Sequence, residues 1–362
     1  MDDGIPHPDG ARTDEGACPR CGSAVEPGDA FCEECGAPLR GGTAPAAAVP
    51  RAVAAPYPWQ APARACVECG AEAIGADGYC QRCGTRQPGD RDHLELDVAG
   101  VGAASDKGLR HSRNEDAMAV TRLDTGVVAV VSDGVSSSPR PEDASQAAAD
   151  TGLAVLGERL SAGDDPEAAT RAAVERAAAS VTDLAESEFH APACTYVSAY
   201  VTSAGITVGW VGDSRAYWLA DDTAPVREGP GDGSGSVLLT EDDSWAGRMV
   251  AWGVMSEQEA QADAKAHVLT GWLGADAGEL DPRVRTFVPP GPGAVVVCSD
   301  GLWNYLPEAD TLRAAAPDAR IDPSGTAAAL VRRALEAGGH DNVTVVVVPF
   351  PPPEQTNRER ER

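Results

Sequence analysis

Apolar residues are spread unevenly along this chain, and their spacing predicts its elements. Short apolar runs at 94–101, 127–131, 196–202, 206–211, 215–219, 295–298 and 343–348 are bounded by turn residues and predict strands. Runs at helical spacing lie between them. Residues 142–160 place Ala149, Leu153, Leu156 and Leu160 on one face. Asp165-Pro166 opens a second helical run reaching about Phe189. Ser256-Glu257-Gln258-Glu259 is a capping-box pattern, and Asp322-Pro323 opens a last helix that stops at Gly338-Gly339. The helices come in blocks after groups of strands, which favours an α+β fold of antiparallel sheets covered by helices over strict βαβ alternation. These elements fill one large domain, 92–350. Outside it the pattern fades. Residues 41–62 are dominated by Ala and Pro and predict an extended linker, and 351–362 predict a disordered tail.

Composition sharpens this picture. Hydrophobic residues make up 43% of the chain but aromatics only 5%, so Ala, Val and Leu must fill most of the core. The formal charge of −27 repels nucleic acid and anionic membranes, so neither is an expected partner. It suits divalent cations or basic protein segments, or serves solubility alone. Met1-Asp2-Asp3-Gly4 lacks the features of a signal peptide, and no apolar run approaches the ~18 residues of a membrane span. A cytoplasmic protein is expected, in which paired cysteines are metal ligands sooner than disulfides.

The cysteines are repeated. Cys18, Cys21, Cys32 and Cys35 recur as Cys66, Cys69, Cys80 and Cys83, each displaced by 48 residues, and a glycine follows each pair: Gly22, Gly36, Gly70 and Gly84. Two Cys-x2-Cys turns joined by a short hairpin complete a tetrahedral site of four thiolates that suits Zn²⁺; rubredoxin-like iron or disulfides are the alternatives. The prediction is two zinc ribbons, 15–40 and 63–87, each folding on its own Zn²⁺. Neither carries a basic patch, which favours protein docking over nucleic-acid reading, with a passive spacer as the other reading.

Five acidic settings carry the candidate chemistry: Arg113-Asn114-Glu115-Asp116, Ser132-Asp133-Gly134, Gly212-Asp213-Ser214-Arg215, Cys298-Ser299-Asp300-Gly301 and Gly339-His340-Asp341-Asn342. A carboxylate at the end of a buried strand is held at the rim of a sheet. Several converging there repel one another unless a cation lies between them. Oxygen ligands select a hard ion such as Mg²⁺ or Mn²⁺. Taken singly, Asp213 or Asp341 also reads as a turn residue bonding its own backbone.

Together with Leu239-Thr240-Glu241-Asp242, His267-Val268-Leu269-Thr270 and Asp341-Asn342-Val343-Thr344-Val345, this ordered series resembles the PPM (type 2C) metal-dependent Ser/Thr protein phosphatases across nearly all of the large domain. The resemblance implies a four-layer sandwich of two antiparallel sheets flanked by helices, preceded here by two small zinc ribbons. It implies two Mg²⁺ or Mn²⁺ ions in a channel at one end. Asp133 would bridge both ions, the carbonyl of Gly134 would bind one, and Asp300 and Asp341 the other. Glu115 would act through ordered waters and Asp116 would support the ligands. Asp213, with Asp300, matches the place where some bacterial members hold a third, weaker ion. The implied reaction is hydrolysis of phosphoserine and phosphothreonine by a hydroxide shared between the two ions. No thiol nucleophile is needed, so Cys194 and Cys298 read as core residues.

The chain departs from the family at the phosphate grip. His111 stands where an Arg is usual, flanked by Arg110 and Arg113. If that segment is a strand, Arg113 shares a side with His111 and Arg110 does not. After Gly134 come Val135-Ser136-Ser137-Ser138-Pro139-Arg140 in place of glycines and His, so hydroxyls and Arg140 are expected to line the pocket. Asp243 replaces another His. Residues 244–267 sit where the family has a flap, and Trp245, Met249, Trp252 and Met255 there predict a local core, or else a peptide-binding surface. The expected function is protein phosphatase action on a phosphorylated kinase or its substrate, with ribbons for docking. The alternative is a pseudophosphatase that binds phosphoproteins without turnover.

Overall fold

The valine-rich runs become the inner strands of two antiparallel sheets. In this computed structural model the described residues are 66, 69–75, 79–84, 89, 91–187, 190–221 and 235–353. The first cysteine quartet, the Ala/Pro-rich linker and most of the tail lie outside them. The chain runs β1 (His93–Asp97), β2 (Gly102–Asp106), β3 (Ala117–Leu123), β4 (Gly126–Ser132), α1 (Pro141–Ser161), α2 (Pro166–Thr182), β5 (Ala193–Cys194), β6 (Tyr196–Val201), β7 (Ile206–Val211) and β8 (Arg215–Ala220). It continues as β9 (Val237–Leu238), α3 (Trp245–Ala251), α4 (Glu257–Gln261), β10 (Leu273–Gly274), β11 (Arg283–Phe287), β12 (Gly293–Cys298), α5 (Asp300–Trp303), α6 (Ala309–Ala315), α7 (Pro323–Glu336) and β13 (Val343–Phe350).

One sheet has the order β1-β2-β13-β12-β8-β9 and the other β11-β7-β6-β4-β3, with a small β10-β5 pair beside them. Alternation decides what each strand face meets. Ala129 and Val131 of β4, Val197 of β6 and Trp210 of β7 meet Trp218 of β8, Val297 of β12 and Val346 of β13 between the sheets. The opposite faces are covered. Val128, Val130 and Tyr196 pack on Ala148, Leu156 and Val174 of α1 and α2. Val296, Val345 and Val347 pack on Leu302, Leu312 and Leu330 of α5, α6 and α7. Strands buried on both faces need continuous apolar sequence, which is why these runs are nearly pure valine. The result is the expected four-layer sandwich. Small residues let its outer layers approach closely: a Cβ on Gly152 of α1 would lie 2.4 Å from Tyr196 Oη.

Several elements differ from expectation. The run 94–101 is a strand and a turn rather than one strand: β1 ends at Asp97, and Ala99 (φ 51°) and Gly100 (φ 82°) form a tight turn in which Val98 and Val101 exchange backbone hydrogen bonds before β2 begins at Gly102. Strands β2, β3 and β11, and the two-residue strands β5, β9 and β10, were not anticipated. Helix α2 ends at Thr182 rather than near 189. The caps hold: Asp165 accepts from the Ala168 amide, Asp322 from Gly325, and the capping box at Ser256 is complete. In residues 244–267, Trp245, Met249 and Met255 do pack around Ala246, Ala260 and Ala266. Trp252 does not join them; it follows the last turn of α3 and is 68% exposed. No helix among the described residues is long and apolar enough to cross a membrane.

Candidate metal centre

Strand register gathers the acids at one end of the sandwich. Ser132, the last residue of β4, pairs with Ala117 at the start of β3, so Asp133 and Asp116 are neighbours. Cys298, ending β12, pairs with both Arg215 and Val345. That places Asp300 beside the β7–β8 turn, which holds Asp213, and beside the start of β13, which Asp341 precedes.

Local contacts hold the acids, through main chain or side chain. Asp133 has its amide bonded to Thr195 Oγ1 at 3.0 Å, while its carbonyl accepts from the Thr195 amide at 2.8 Å. Asp116 Oδ2 accepts from Ser299 Oγ at 2.7 Å. Asp300 opens α5 and accepts from Asn304 Nδ2 at 3.2 Å. Asp341 Oδ1 meets its neighbour's amide at 2.8 Å and His111 Nε2 at 3.0 Å. Asn342 ties the group together: its Oδ1 accepts from the Glu115 amide at 2.7 Å, and its Nδ2 donates to the carbonyls of Lys107 at 2.8 Å and Arg113 at 3.0 Å. Two glycines allow this closeness. A Cβ on Gly301 would lie 1.9 Å from the Asn342 carbonyl oxygen, and one on Gly108 (φ +72°) 2.2 Å from that of Asp341.

The acids hold one another in an unfavourable charge state. Burial, and then the charges of Asp116, Asp300, Asp341 and Asp213, push the Asp133 carboxyl well above the usual range. Burial, and then Asp300 and Asp242, do the same to Asp213. Burial, followed by repulsion from Asp341, raises Asp300 to about 6. Asp116 rises to about 7, mainly through burial. One oxygen each of Asp116 and Asp300 is buried without a hydrogen-bond partner. Oxygen donors that repel one another and lack protein partners fit a hard divalent cation. Among the described residues, no carboxylate trio brings its oxygens within 4.8 Å of one another, as the four thiols do. The acids are arranged more widely than a one-ion cage.

The loop 107–116 is irregular, not a strand, so the expected side-sharing of His111 and Arg113 does not apply. His111 turns to Asp341, while Arg113 Nε meets Glu115 Oε1 at 3.0 Å and its Nη1 meets Glu142 Oε1 at 3.2 Å. Arg110 is exposed. After Gly134, Ser136 reaches the clustered acids, donating to Glu115 Oε2, while Arg140 pairs with Asp143 on α1 at 3.5 Å. Ser138 Oγ accepts from the Ala193 amide at 3.1 Å, and Arg140 donates to the Leu184 carbonyl at 2.6 Å, so neither lines the site as expected. Asp243 braces the Asp213 turn, accepting from the Gly212 amide at 3.0 Å and pairing with Arg283. Cys194 and Cys298 are fully buried, and burial pushes the Cys194 thiol up to about 12, so both are core residues. Sequence reasoning gave no role to Arg215, Asp242, Trp303 or Asn342. Arg215 grips Asp242 through two parallel hydrogen bonds of 2.9 and 2.7 Å, with both side chains 7% exposed.

The second cysteine quartet forms a separate centre. Cys66, Cys69, Cys80 and Cys83 place their sulfurs within 4.8 Å of one another, with two pairs at 3.6 Å. A tetrahedron of thiolates at ~2.3 Å from Zn²⁺ has edges of about 3.8 Å, so the quartet fits that ion. The knuckles turn at Gly70 (φ +67°) and Gly84 (φ +76°), whose amides bond back to the carbonyls of Cys66 and Cys80 at 2.8 Å. Ile74 bridges Cys80 in the hairpin between them.

Comparison with known proteins bears on both centres. Residues 108–321 match the family model for protein phosphatase 2C, and residues 18–84 match that for a double zinc ribbon. The chain is 26% identical over 255 residues to the serine/threonine phosphatase stp of Listeria innocua, which spans 67% of this chain and 93% of that protein. Among solved structures, the Mycobacterium tuberculosis serine/threonine phosphatase PstP/Ppp superposes with a TM-score of 0.55 at 27% identity, covering 70% of this chain and 98% of that one. A structure of the PstP catalytic domain in complex with two manganese ions has a TM-score of 0.51 at 26% identity, covering 68% and 96%.

Proposed function

The chain belongs to the protein phosphatase 2C family, and from that membership we propose that it removes phosphate from phosphoserine and phosphothreonine in proteins, using two Mg²⁺ or Mn²⁺ ions at the acid cluster. When bound, such ions lower the pKa of water far below its bulk value of ~15.7 and offset charge growing on the phosphoryl oxygens. Asp133, the carbonyl of Gly134, Asp300 and Asp341 would hold them. Glu115 would orient solvent, and Asp116, fixed by Ser299, would keep the ligands aligned. Asp213 with Asp300 would hold a third ion. The phosphate grip falls to basic side chains of the 107–116 loop: His111 on Asp341, Arg113 beside Glu115, and the exposed Arg110. The relative solved with two manganese ions supports the ion count.

The observation that carries this reading is the convergence of acids from separate segments into one mutually repelling group with unpartnered buried oxygens. Phosphate release from a phosphothreonine peptide should require Mn²⁺ or Mg²⁺, vanish with EDTA, return with Mn²⁺ but not Zn²⁺, and be absent in Asp300→Asn. An active Asp300→Asn would overturn the assignment. A pseudophosphatase is the second reading, favoured by the tying up of Ser138 and Arg140 in backbone contacts. Phosphopeptide binding without turnover in the same assay would select it.

For the double ribbon we infer a docking role toward a protein client, a Ser/Thr kinase or its substrate. Its thiols keep their metal in a reducing compartment, which fits a cytoplasmic setting. Removing residues 1–90 should lower kcat/KM on a whole phosphoprotein but leave it unchanged on a short phosphopeptide. An equal effect on both would contradict docking.

A further inference from the structure

Asp213 sits on a turn with no regular secondary structure, yet its carboxylate has to meet Asp300 with fixed geometry. Gly212 takes a φ of +105°, and a Cβ there would lie 2.7 Å from Thr195 Cβ, so the turn is pressed against Thr195, between β5 and β6, from one side. Asp243 braces it through the Gly212 amide, and a further support, on the Asp213 carbonyl itself, is Trp303. Its indole Nε1–H donates to the main-chain carbonyl of Asp213 at 2.8 Å, and the ring is 4% exposed. Trp303 lies three residues after Asp300 on α5, one helical turn away. A single rigid side chain thus ties the carbonyl of one acid to the helix that carries the other.

The indole is itself held. Arg215, two residues after Asp213, places its guanidinium carbon 3.8 Å from the Trp303 ring centroid, and its bidentate pairing with Asp242 fixes that stack. The exposed ring of His267 lies 5.9 Å from the same indole at 32°. Trp303 is accordingly over-determined: it is stacked by Arg215, covered by His267 and hydrogen-bonded to Asp213. A buried aromatic could fill this space without its N–H, so the bond to Asp213 is a directional feature that packing alone does not require.

We propose that Trp303 is a positioning residue that fixes Asp213 opposite Asp300. The proposal rests on the assignment of Asp213 to the metal centre. Trp303→Phe keeps a ring for Arg215 and His267 to cover and removes only the N–H. In the full chain it should raise the Mn²⁺ concentration for half-saturation about fivefold, the worth of one hydrogen bond. The readout is calorimetric titration of Mn²⁺ alongside phosphopeptide turnover, with kcat at saturating Mn²⁺ nearly unchanged. Because Trp303 acts through Asp213, Trp303→Phe should add nothing in an Asp213→Asn background. Wild-type Mn²⁺ affinity in Trp303→Phe, or an effect that adds in full to that of Asp213→Asn, would overturn the proposal while leaving the phosphatase assignment intact. An Asp213→Asn variant that binds Mn²⁺ as the wild type does would overturn both this proposal and the third ion. Should Trp303→Phe not fold, His267→Ala uncovers the same ring from the surface and should shift Mn²⁺ half-saturation in the same direction, again with no addition to Asp213→Asn; no shift would overturn the proposal.

Discussion

Asp300→Asn should make the protein more stable when no divalent ion is bound, even as it abolishes activity. In the metal-free protein the Asp300 carboxyl is pushed from 3.8 to about 6, first by burial and then by Asp341. At ~1.36 kcal/mol per pK unit, an ionised Asp300 costs the folded state about 3 kcal/mol. The sign follows from linkage. A raised carboxyl pKa means that the unfolded chain loses its proton first, so stability falls as pH rises from about 4 to about 6 and the full cost persists above that. Removing the charge recovers it, less roughly 1 kcal/mol for the weakened hydrogen bond from Asn304. A net gain of about 2 kcal/mol raises the unfolding midpoint of a domain this size by ~4–8 °C. Thermal unfolding of the full chain, at about pH 7.5 without added divalent ions, is the assay. The gain should shrink as pH falls below about 6. Adding Mn²⁺ should raise the wild-type midpoint and leave that of Asp300→Asn nearly unmoved. A variant less stable than wild type at neutral pH, or equally stabilised by Mn²⁺, would refute the reasoning.

Three further outcomes are expected. His93 bonds Asp106 at 2.8 Å and Glu95 at 3.2 Å, and the Asp106 bond is the main cause of its raised pKa. His93→Ala should therefore cost stability below about pH 6.5, with the difference from wild type fading as pH rises through the elevated folded-state value; thermal melts across that range test this. Arg215→Ala leaves Asp242 buried without its partner and should cost about 3–5 kcal/mol in denaturant unfolding, while Arg215→Met with Asp242→Leu should cost much less. Cys69→Ser should lower bound zinc by one ion per chain in elemental analysis without changing Mn²⁺-dependent phosphopeptide turnover.

Much of the fold could be read from sequence because burial on both faces leaves a plain mark. Strands β4, β12 and β13 are near-continuous valine, and α7 is bracketed by Asp322-Pro323 and Gly338-Gly339. The missed strands lack that mark. The sequence of β2 is Gly-Ala-Ala-Ser-Asp; it is a strand because β1 and β13 pair with it. Ala-Met-Ala-Val in β3 carries helix formers, and context overrides them. The edge strand β11 alternates Arg with Val and Thr, with Arg283 and Arg285 near the Trp210 ring. Asp133, Asp213, Asp300 and Asp341 could be read because each lies beside the end of a legible strand; Glu115 and Asp116 precede the missed β3 and were read from the ordered motif series. What holds them could not: the contacts of Asn342 with Glu115 and of Trp303 with Asp213 join residues 227 and 90 positions apart. Trp252 looked like core by composition, but α3 is only seven residues long and Trp252 lies beyond its packed face.

Crystals soaked in Mn²⁺ and measured for anomalous scattering give the most direct test. Two peaks about 4 Å apart, both touching Asp133 and flanked by Asp300 and Asp341, are the predicted result. A single peak, or none within ligand distance of Asp133, would contradict the account.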